Sequence, residues 1–212
     1  MIKLNRVIKY LIYSDLIFYT GWGLISPIFA LFLVESLKMS AFVVGMASAI
    51  HLVTRSILRV PFGIKADKSQ KRAFSYMFFG LFVAALVPFG FIFSRSVWHI
   101  YALQAVLGIS LAMSTSGWTA IFARHMDRGK ESTEWGVDAV AVGLGPGIAA
   151  AIGGLAVTYF SFTWVFAAVG VVGLIGALLL LVIKREVFAN KEGTGKLFVS
   201  HELRRIKKAR VN

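Results

Sequence analysis

Three ionisable side chains of this chain share one helical face inside an apolar run. His51, Arg55 and Arg59 follow an i, i+4, i+8 spacing, which places them on the same side of a predicted helix. Asp15, in the preceding apolar run, is expected at the depth of Arg55 and Arg59, where an ion pair can form. Charges in such surroundings are costly and indicate a functional site. For Arg59 the competing interpretation is that its side chain extends to polar solvent at the helix end.

Two further stripes combine polar and aromatic side chains. The first run carries Asp15, Tyr19, Trp22 and Ser26 on one face, and the fourth run carries Gln104, Gly108, Thr115 and Trp118. Such stripes line a cavity, or else they pack helices together through small and hydroxyl side chains. Both interpretations are open at this point.

The composition indicates a membrane protein. Of the 212 residues, 58% are hydrophobic and 16% are charged, and apolar runs of about 20 residues match a hydrocarbon layer about 30 Å thick. The net charge of +13 does not point to nucleic acid, because the basic residues lie between the apolar runs and in the C-terminal tail. The sequence contains no cysteine, so disulfide and thiolate chemistry are excluded.

The apolar runs predict an all-α fold with six transmembrane helices. The predicted spans are residues 7–34, 41–62, 73–94, 96–123, 133–158 and 162–183. The uncharged run from Ala139 to Ile183 is too long for one crossing at a rise of about 1.5 Å per residue, so it is divided into two. We expect Pro27 to lie inside the first span and Ser40 to cap the second. In the sixth span only glycines interrupt the apolar sequence, and we expect this span to face lipid.

Basic residues collect on one side of this six-span arrangement. Only Lys38 and Arg95 fall on the opposite side. The positive-inside rule therefore predicts cytoplasmic N- and C-termini in a plasma (inner) membrane. Residues 1–184 form the six-helix membrane domain, and residues 185–212 form a basic tail. The tail is either an amphipathic helix on the lipid surface or a basic segment held near it by charge.

The most specific motif is the basic segment between the second and third spans. It begins at Gly63, contains Asp67 and ends with the pair Lys71-Arg72. Gly63 is expected to permit a tight turn at a helix end. Asp67 is expected to pair with the surrounding basic residues or with a helix N-terminus.

With the spans placed, two motifs resemble those of the major facilitator superfamily. The basic segment resembles the signature loop G-x-x-x-D-[RK]-x-G-[RK]-[RK], with Gln70 in place of the second glycine; the matching residues are Gly63, Asp67, Lys68, Lys71 and Arg72. A glycine–proline segment in the fifth span resembles the motif that bends the fifth helix of these proteins; it contains Gly143, Gly145, Pro146, Gly147, Gly153 and Gly154. The resemblance covers residues 1 to about 184, one six-helix half. The basic residue often found in the fourth helix is absent.

The resemblance implies transport of a small solute by alternating access, with the solute bound between two six-helix units. A homodimer would supply the second unit. The alternatives are a second half of different sequence, a transporter fragment, or a non-transporting scaffold whose tail binds lipid or a partner. The cavity candidates are Asp15, Tyr19, Trp22, His51, Arg55, Gln104, Thr115 and Trp118. Asp138 is a candidate coupling acid, although it can instead pair with loop arginines and stabilise a helix N-terminus.

Patterns that would indicate an enzyme are incomplete. Ser114-Thr-Ser-Gly117 resembles the serine motif of rhomboid-type intramembrane proteases, but the sixth span holds no histidine to act as the base. The four histidines lack metal-ligand spacing, and residues 143–147 lack the lysine of a phosphate loop. We therefore expect no enzymatic activity, no metal and no cofactor; the substrate and the coupling ion stay undefined.

Overall fold

The computed structural model describes residues 4–189, which form six long helices and short helical extensions. The long helices are α1 (Arg6–Ile25), α2 (Ala41–Asp67), α3 (Gln70–Ile92), α4 (Val97–His125), α5 (Glu131–Tyr159) and α6 (Phe162–Leu179). A 3-10 turn, Leu180–Ile183, and a short helix, Lys184–Ala189, continue α6. Five helices are long and apolar enough to cross a membrane, and the count is six if α1 and the bent segment after it form one span. The amphipathic helix considered for the tail lies outside the described residues.

The first span is broken, whereas the sequence predicted a continuous helix over residues 7–34. After α1 ends at Ile25, the chain resumes as Phe29–Leu31 and a π-helical segment, Phe32–Ser36, bent by 41° from α1. Pro27 lies in the break. Proline has no N–H to donate, and its ring clashes with the carbonyl one turn earlier, so the helix ends there.

The connection between α2 and α3 is shorter than predicted. α2 continues to Asp67, so Gly63 lies within the helix, and the turn predicted at that glycine is wrong. The chain turns instead at Lys68 and Ser69. Lys65 and Ala66 are good helix formers, so the helix continues past Gly63. Ser40 occupies the N-cap position of α2 in extended conformation, but its side chain makes no capping hydrogen bond.

The helices pack in the order α2–α4–α3–α6–α1–α5, each against its neighbours in this order. α2 and α5 stand at the two open ends. In their most apolar windows only 6% and 17% of the residues are buried, against 44% to 67% in α3, α4 and α6. α1 and α4 make only slight contact with each other, which leaves space between them.

Glycines set the close crossing of α3 and α4. A Cβ atom at Gly80 would lie 2.5 Å from the Ser110 carbonyl oxygen, and one at Gly117 would overlap the Ala73 carbonyl. Small residues allow the two backbones to approach this closely. Ser114, between these glycines, donates a 3.2 Å hydrogen bond to the Met77 carbonyl on α3.

The glycine–proline segment of α5 has two different faces. Toward α1, a Cβ atom at Gly23 would lie 2.5 Å from the Cα atom of Pro146, and one at Gly153 would lie 2.5 Å from the Leu24 carbonyl oxygen. Gly145 faces α1 as well, against Thr20 and Leu16. A Cβ atom at any of the remaining glycines, Gly143, Gly147 and Gly154, would meet no neighbouring atom within 4 Å. α5 continues as one helix through Pro146.

The start of α1 and the segment after α6 meet at one end of the bundle. Arg6 forms a 2.9 Å ion pair with Glu186. Asn5 caps α1 by accepting a 2.9 Å hydrogen bond from the Ile8 N–H, and its amide donates a 2.6 Å bond to the His125 carbonyl. This end also holds the α2–α3 turn, because Arg124 donates a 2.7 Å hydrogen bond to the Asp67 carbonyl.

Candidate functional site

Two adjoining cavities lie between α1, α2, α4 and α5. The larger has a volume of about 470 Å³ and the smaller about 230 Å³. Tyr19, Arg55 and Val142 line both cavities and therefore form the boundary between them. We call them the apolar cavity and the charged cavity, after the side chains that line each.

The apolar cavity is walled mainly by aromatic and aliphatic side chains. Among its lining residues are Phe18, Trp22, Ile25, Phe29, Leu52, Leu107, Leu111 and Pro146. Its polar residues are Ser26 from the α1 break, Ser48, His51 and Arg55 from α2, and Gln104 from α4. Within the described part of the chain, no acidic side chain lines this cavity.

Two buried nitrogens of the apolar cavity have no hydrogen-bond partner among the described residues. They are the Trp22 indole Nε1 and the His51 ring Nδ1. The His51 ring lies against the backbone of Gln104, which joins α2 to α4 at this level. An unpaired buried polar atom is unfavourable, so a hydrogen-bond partner for either nitrogen would stabilise the site.

The charged cavity contains two carboxyl groups and two guanidinium groups. Asp15 comes from α1, Asp138 from α5, and Arg55 and Arg59 from α2. Only 8% of Asp138 is exposed, and its Oδ1 atom has no hydrogen-bond partner among the described residues. The lining is completed by Tyr19, Leu81, Ser114, Thr115, Trp118, Thr119, Trp135 and Val142.

No direct ion pair joins these four charges in the described structure. The ion pairs Arg6–Glu186 and Lys130–Asp127 lie at the end of the bundle. The ion pair predicted between Asp15 and an arginine is therefore not formed, although Asp15, Arg55 and Arg59 line the same cavity. Asp138, which was expected either in the site or beside the arginines of the α4–α5 loop, lines this same cavity.

Tyr19 stands among the four charges. Its hydroxyl interacts electrostatically with the Arg55 guanidinium and with the carboxyl groups of Asp15 and Asp138. The hydroxyl of Thr115 donates a 2.6 Å hydrogen bond to the Leu111 carbonyl of its own helix. Its oxygen lone pairs therefore stay available to accept bonds in the cavity.

An aromatic cluster lies at the end of the charged cavity. The Trp118 and Phe122 rings stack with centroids 4.4 Å apart, and the Trp135 ring lies 4.7 Å from Phe122 and 5.7 Å from Trp118. Trp135 was not among the sequence candidates. With Asp138 and Val142 it forms an i, i+3, i+7 stripe on α5, and this stripe was the signal that would have identified it.

The structure brings the predicted cavity residues together. Each of them lines one or both cavities: Asp15, Tyr19, Trp22, His51, Arg55, Gln104, Thr115 and Trp118. Gly108, from the same stripe of α4, serves helix packing, because a Cβ atom there would lie 2.8 Å from the His51 carbonyl oxygen. Ser48, Trp135 and Thr119 are lining residues that the sequence did not single out.

Asp67 lines neither cavity; it lies at a hollow of about 330 Å³ between α2 and α4, which adjoins the charged cavity at Arg59 and Thr119. Arg59, Gly63 and Arg124 line the same hollow. The Asp67 side chain is exposed and forms no ion pair with the basic residues that the structure describes. The intrachain pairing predicted for it is therefore not formed, while its backbone carbonyl is held by Arg124.

Comparisons with known proteins identify the family of this chain and a solved structure of similar fold. The family model described as Major Facilitator Superfamily matches residues 12–211. A solved structure titled "In meso crystal structure of the POT family transporter PepTSo" matches with a TM-score of 0.68 and 15% sequence identity, a level that establishes similarity of fold alone. The match covers 87% of this chain and 38% of that chain, so the present chain spans well under half of its length. No curated protein matches the sequence significantly. A multi-pass membrane protein with five or six helical segments apolar enough to span a membrane, this chain belongs to the Major Facilitator Superfamily.

Proposed function

We propose that this chain is one half of a secondary-active transporter that moves a small solute across the plasma membrane by alternating access. The observation that carries the proposal is the pair of cavities between α1, α2, α4 and α5. They hold charged side chains in segments that would cross the membrane, where charges are retained for function. The proposed role is transport without covalent chemistry, and it involves no metal or cofactor.

The second half would be another copy of the same chain. α2 and α5, which flank the cavities, leave large apolar side chains uncovered: Val60 is 66% exposed and Ile148 is 63% exposed. A twofold dimer about an axis along the membrane normal would cover these helices and enclose the cavities. A second half of different sequence would meet the same requirement, and oligomer counting distinguishes the two.

Both termini would be cytoplasmic. This orientation is supported by the clustering of positive residues at the end of the bundle where Arg6 meets Glu186 and Arg124 meets the α2–α3 turn. At the same end, Asp67 would contact the second unit, pairing with its basic residues or a helix N-terminus and steadying the outward-open state. Its exposed and unpaired carboxyl group is available for that contact.

Flux through reconstituted liposomes tests the transport function. The full chain is incorporated into vesicles, and uptake of labelled amino acids, sugars and organic acids is measured with and without a pH gradient. Protein-free vesicles are the control. Saturable uptake of any of these solutes supports transport; its absence throughout, with the protein correctly folded, favours the scaffold whose basic tail binds lipid or a partner.

A further inference from the structure

We propose that the apolar cavity binds an organic anion with an apolar body, and that Arg55 holds the anionic group. This inference rests on the proposed function and specifies the substrate class of the same site. It is carried by the separation of the two cavities and by the position of Arg55 at their boundary.

The size and walls of the apolar cavity define the body of the ligand. A volume of about 470 Å³ lies in the range of small-molecule sites, and such sites are largely apolar with a few placed polar groups. Phe18, Trp22 and Phe29 contribute aromatic rings from one side of the cavity. Leu107 and Leu111 contribute aliphatic surface from α4. An aromatic or aliphatic body of modest size therefore fits better than a sugar.

The polar groups of the apolar cavity define the charge of the ligand. Arg55 is positive, the Trp22 indole can only donate a hydrogen bond, and no carboxylate lines this cavity in the described residues. The Trp22 Nε1 and His51 Nδ1 atoms are buried without a partner among the described residues, and each would gain a hydrogen bond from a ligand that reached it. Arginine binds carboxylates through two parallel hydrogen bonds. A carboxylate satisfies this set, whereas an ammonium group would face a positive charge.

Arg55 also faces the charged cavity, where Asp15 and Asp138 are the competing anions. No direct ion pair fixes Arg55 to either carboxyl group in the described structure. Its guanidinium group interacts with the Tyr19 hydroxyl and, with five N–H donors, keeps others available to a ligand on the other side. Removing a competing carboxylate should strengthen binding of the anion, because less of the Arg55 charge is then neutralised within the protein.

Binding of three matched probes to the purified full chain in lipid nanodiscs tests the substrate class. The probes are 3-phenylpropanoate, 3-phenylpropanamide and 3-phenylpropan-1-amine, which share one body and differ in charge. Isothermal titration calorimetry gives each affinity. We expect the anion to bind at least about tenfold more tightly than the amide, and the amine more weakly still. No measurable binding of the anion, or tighter binding of the amide or amine, would overturn the proposal.

Variants test whether the positive charge of Arg55 binds the anionic group. Arg55→Gln should weaken 3-phenylpropanoate binding by at least about tenfold and remove the preference over the amide. Lys65→Gln, which removes an exposed positive charge from the same helix outside both cavities, should change the affinity by less than about twofold. Asp15→Asn should raise the affinity for 3-phenylpropanoate. An equal loss of affinity in Arg55→Gln and Lys65→Gln would contradict the role of Arg55. So would a loss of affinity in Asp15→Asn, if thermal unfolding shows that this variant is folded.

The binding experiment separates this inference from the transport proposal. Selective binding of the anion without flux of any solute would support the proposed substrate class and overturn the proposed transport function. Flux of another solute by a chain that does not bind the anion would support the transport function and overturn the substrate class. The comparison of the three probes on the unaltered protein needs no variant, so the test holds even where Arg55→Gln fails to fold.

Discussion

Four charged residues share a cavity of about 230 Å³ without a direct ion pair in the described structure. Asp15 and Asp138 face Arg55 and Arg59, and Tyr19 lies between them. A direct ion pair would bind these helices together firmly, whereas charged side chains without a direct partner can be rearranged by a ligand or a proton at smaller cost. On this basis we propose that Asp15 and Asp138 act in coupling.

Neutralising either carboxyl group tests that role. In liposomes that show pH-dependent uptake, Asp138→Asn and Asp15→Asn should each lower gradient-driven uptake at least about tenfold and flatten its pH dependence, because asparagine carries no titrating proton. Glu35→Gln, an exposed acid at the other end of the first span, is the matched control. Normal uptake with an unchanged pH profile in the Asp15 or Asp138 variant would rule out its coupling role.

At the scale of helices, neighbouring glycines of α5 have different surroundings. Gly153 is buried where a Cβ atom would lie 2.5 Å from the Leu24 carbonyl oxygen of α1, while Gly154 has open space at the same position. The α1–α5 crossing therefore depends on one glycine of this pair. A backbone atom cannot move aside as a side chain can, so an added methyl group must separate the helices.

The pair Gly153→Ala and Gly154→Ala tests this crossing. Gly153→Ala should destabilise the protein by about 1–3 kcal/mol through overpacking. Gly154→Ala should be neutral or slightly stabilising, since alanine favours the helix over glycine by up to about 1 kcal/mol. Unfolding midpoints in detergent measure both. A Gly153→Ala protein as stable as Gly154→Ala would show that α1 and α5 are not in contact at this point.

At the scale of the whole molecule, the bundle is open where its cavities lie. The packing order ends at α2 and α5, and these helices are the least buried of those that span. This exposure of α2 and α5 supports the proposed assembly of two six-helix units.

The number of copies in a dilute lipid bilayer tests the homodimer. Single-molecule photobleaching of a chain carrying one label should give predominantly two bleaching steps. An apolar face of this kind is covered in a stable assembly. Val60→Trp, on the face that the dimer would cover, should therefore shift the bleaching count toward one step. Ile175→Trp, on the outer side of α6, should leave the count unchanged. Single steps throughout for the unaltered chain would overturn the homodimer and direct attention to a partner of different sequence.

The exposed carboxyl group of Asp67 is the proposed contact with the second unit of this assembly. Asp67→Asn should slow transport by about threefold to tenfold, equivalent to about 0.7–1.4 kcal/mol in the barrier, without lowering expression. Glu35→Gln is again the control, and initial uptake rates per folded protein are the measurement. Wild-type turnover in Asp67→Asn would exclude a contact between units through this residue.

The order of residues alone was enough to predict the membrane-spanning character and several of the polar and aromatic residues that line the cavities. Apolar runs of about 20 residues with charges at their ends leave few alternatives, because a helix is the structure that satisfies every backbone polar group in lipid. Helical periodicity then placed Asp15 and Tyr19 on one face, and His51 and Arg55 on another. The signature around Asp67 indicated the family, which the family model confirms.

Which faces meet depends on the tertiary structure. Periodicity assigns a residue to a face, but the opposing helix depends on crossings set by contacts distant in sequence, such as Gly23 against Pro146. These crossings bring Asp138 of α5 into the cavity of Asp15, add Trp135 to its wall, and turn Gly108 toward α2. The turn expected at Gly63 is wrong for a related reason. A local preference for a turn does not end a helix when the residues after it favour the helical conformation.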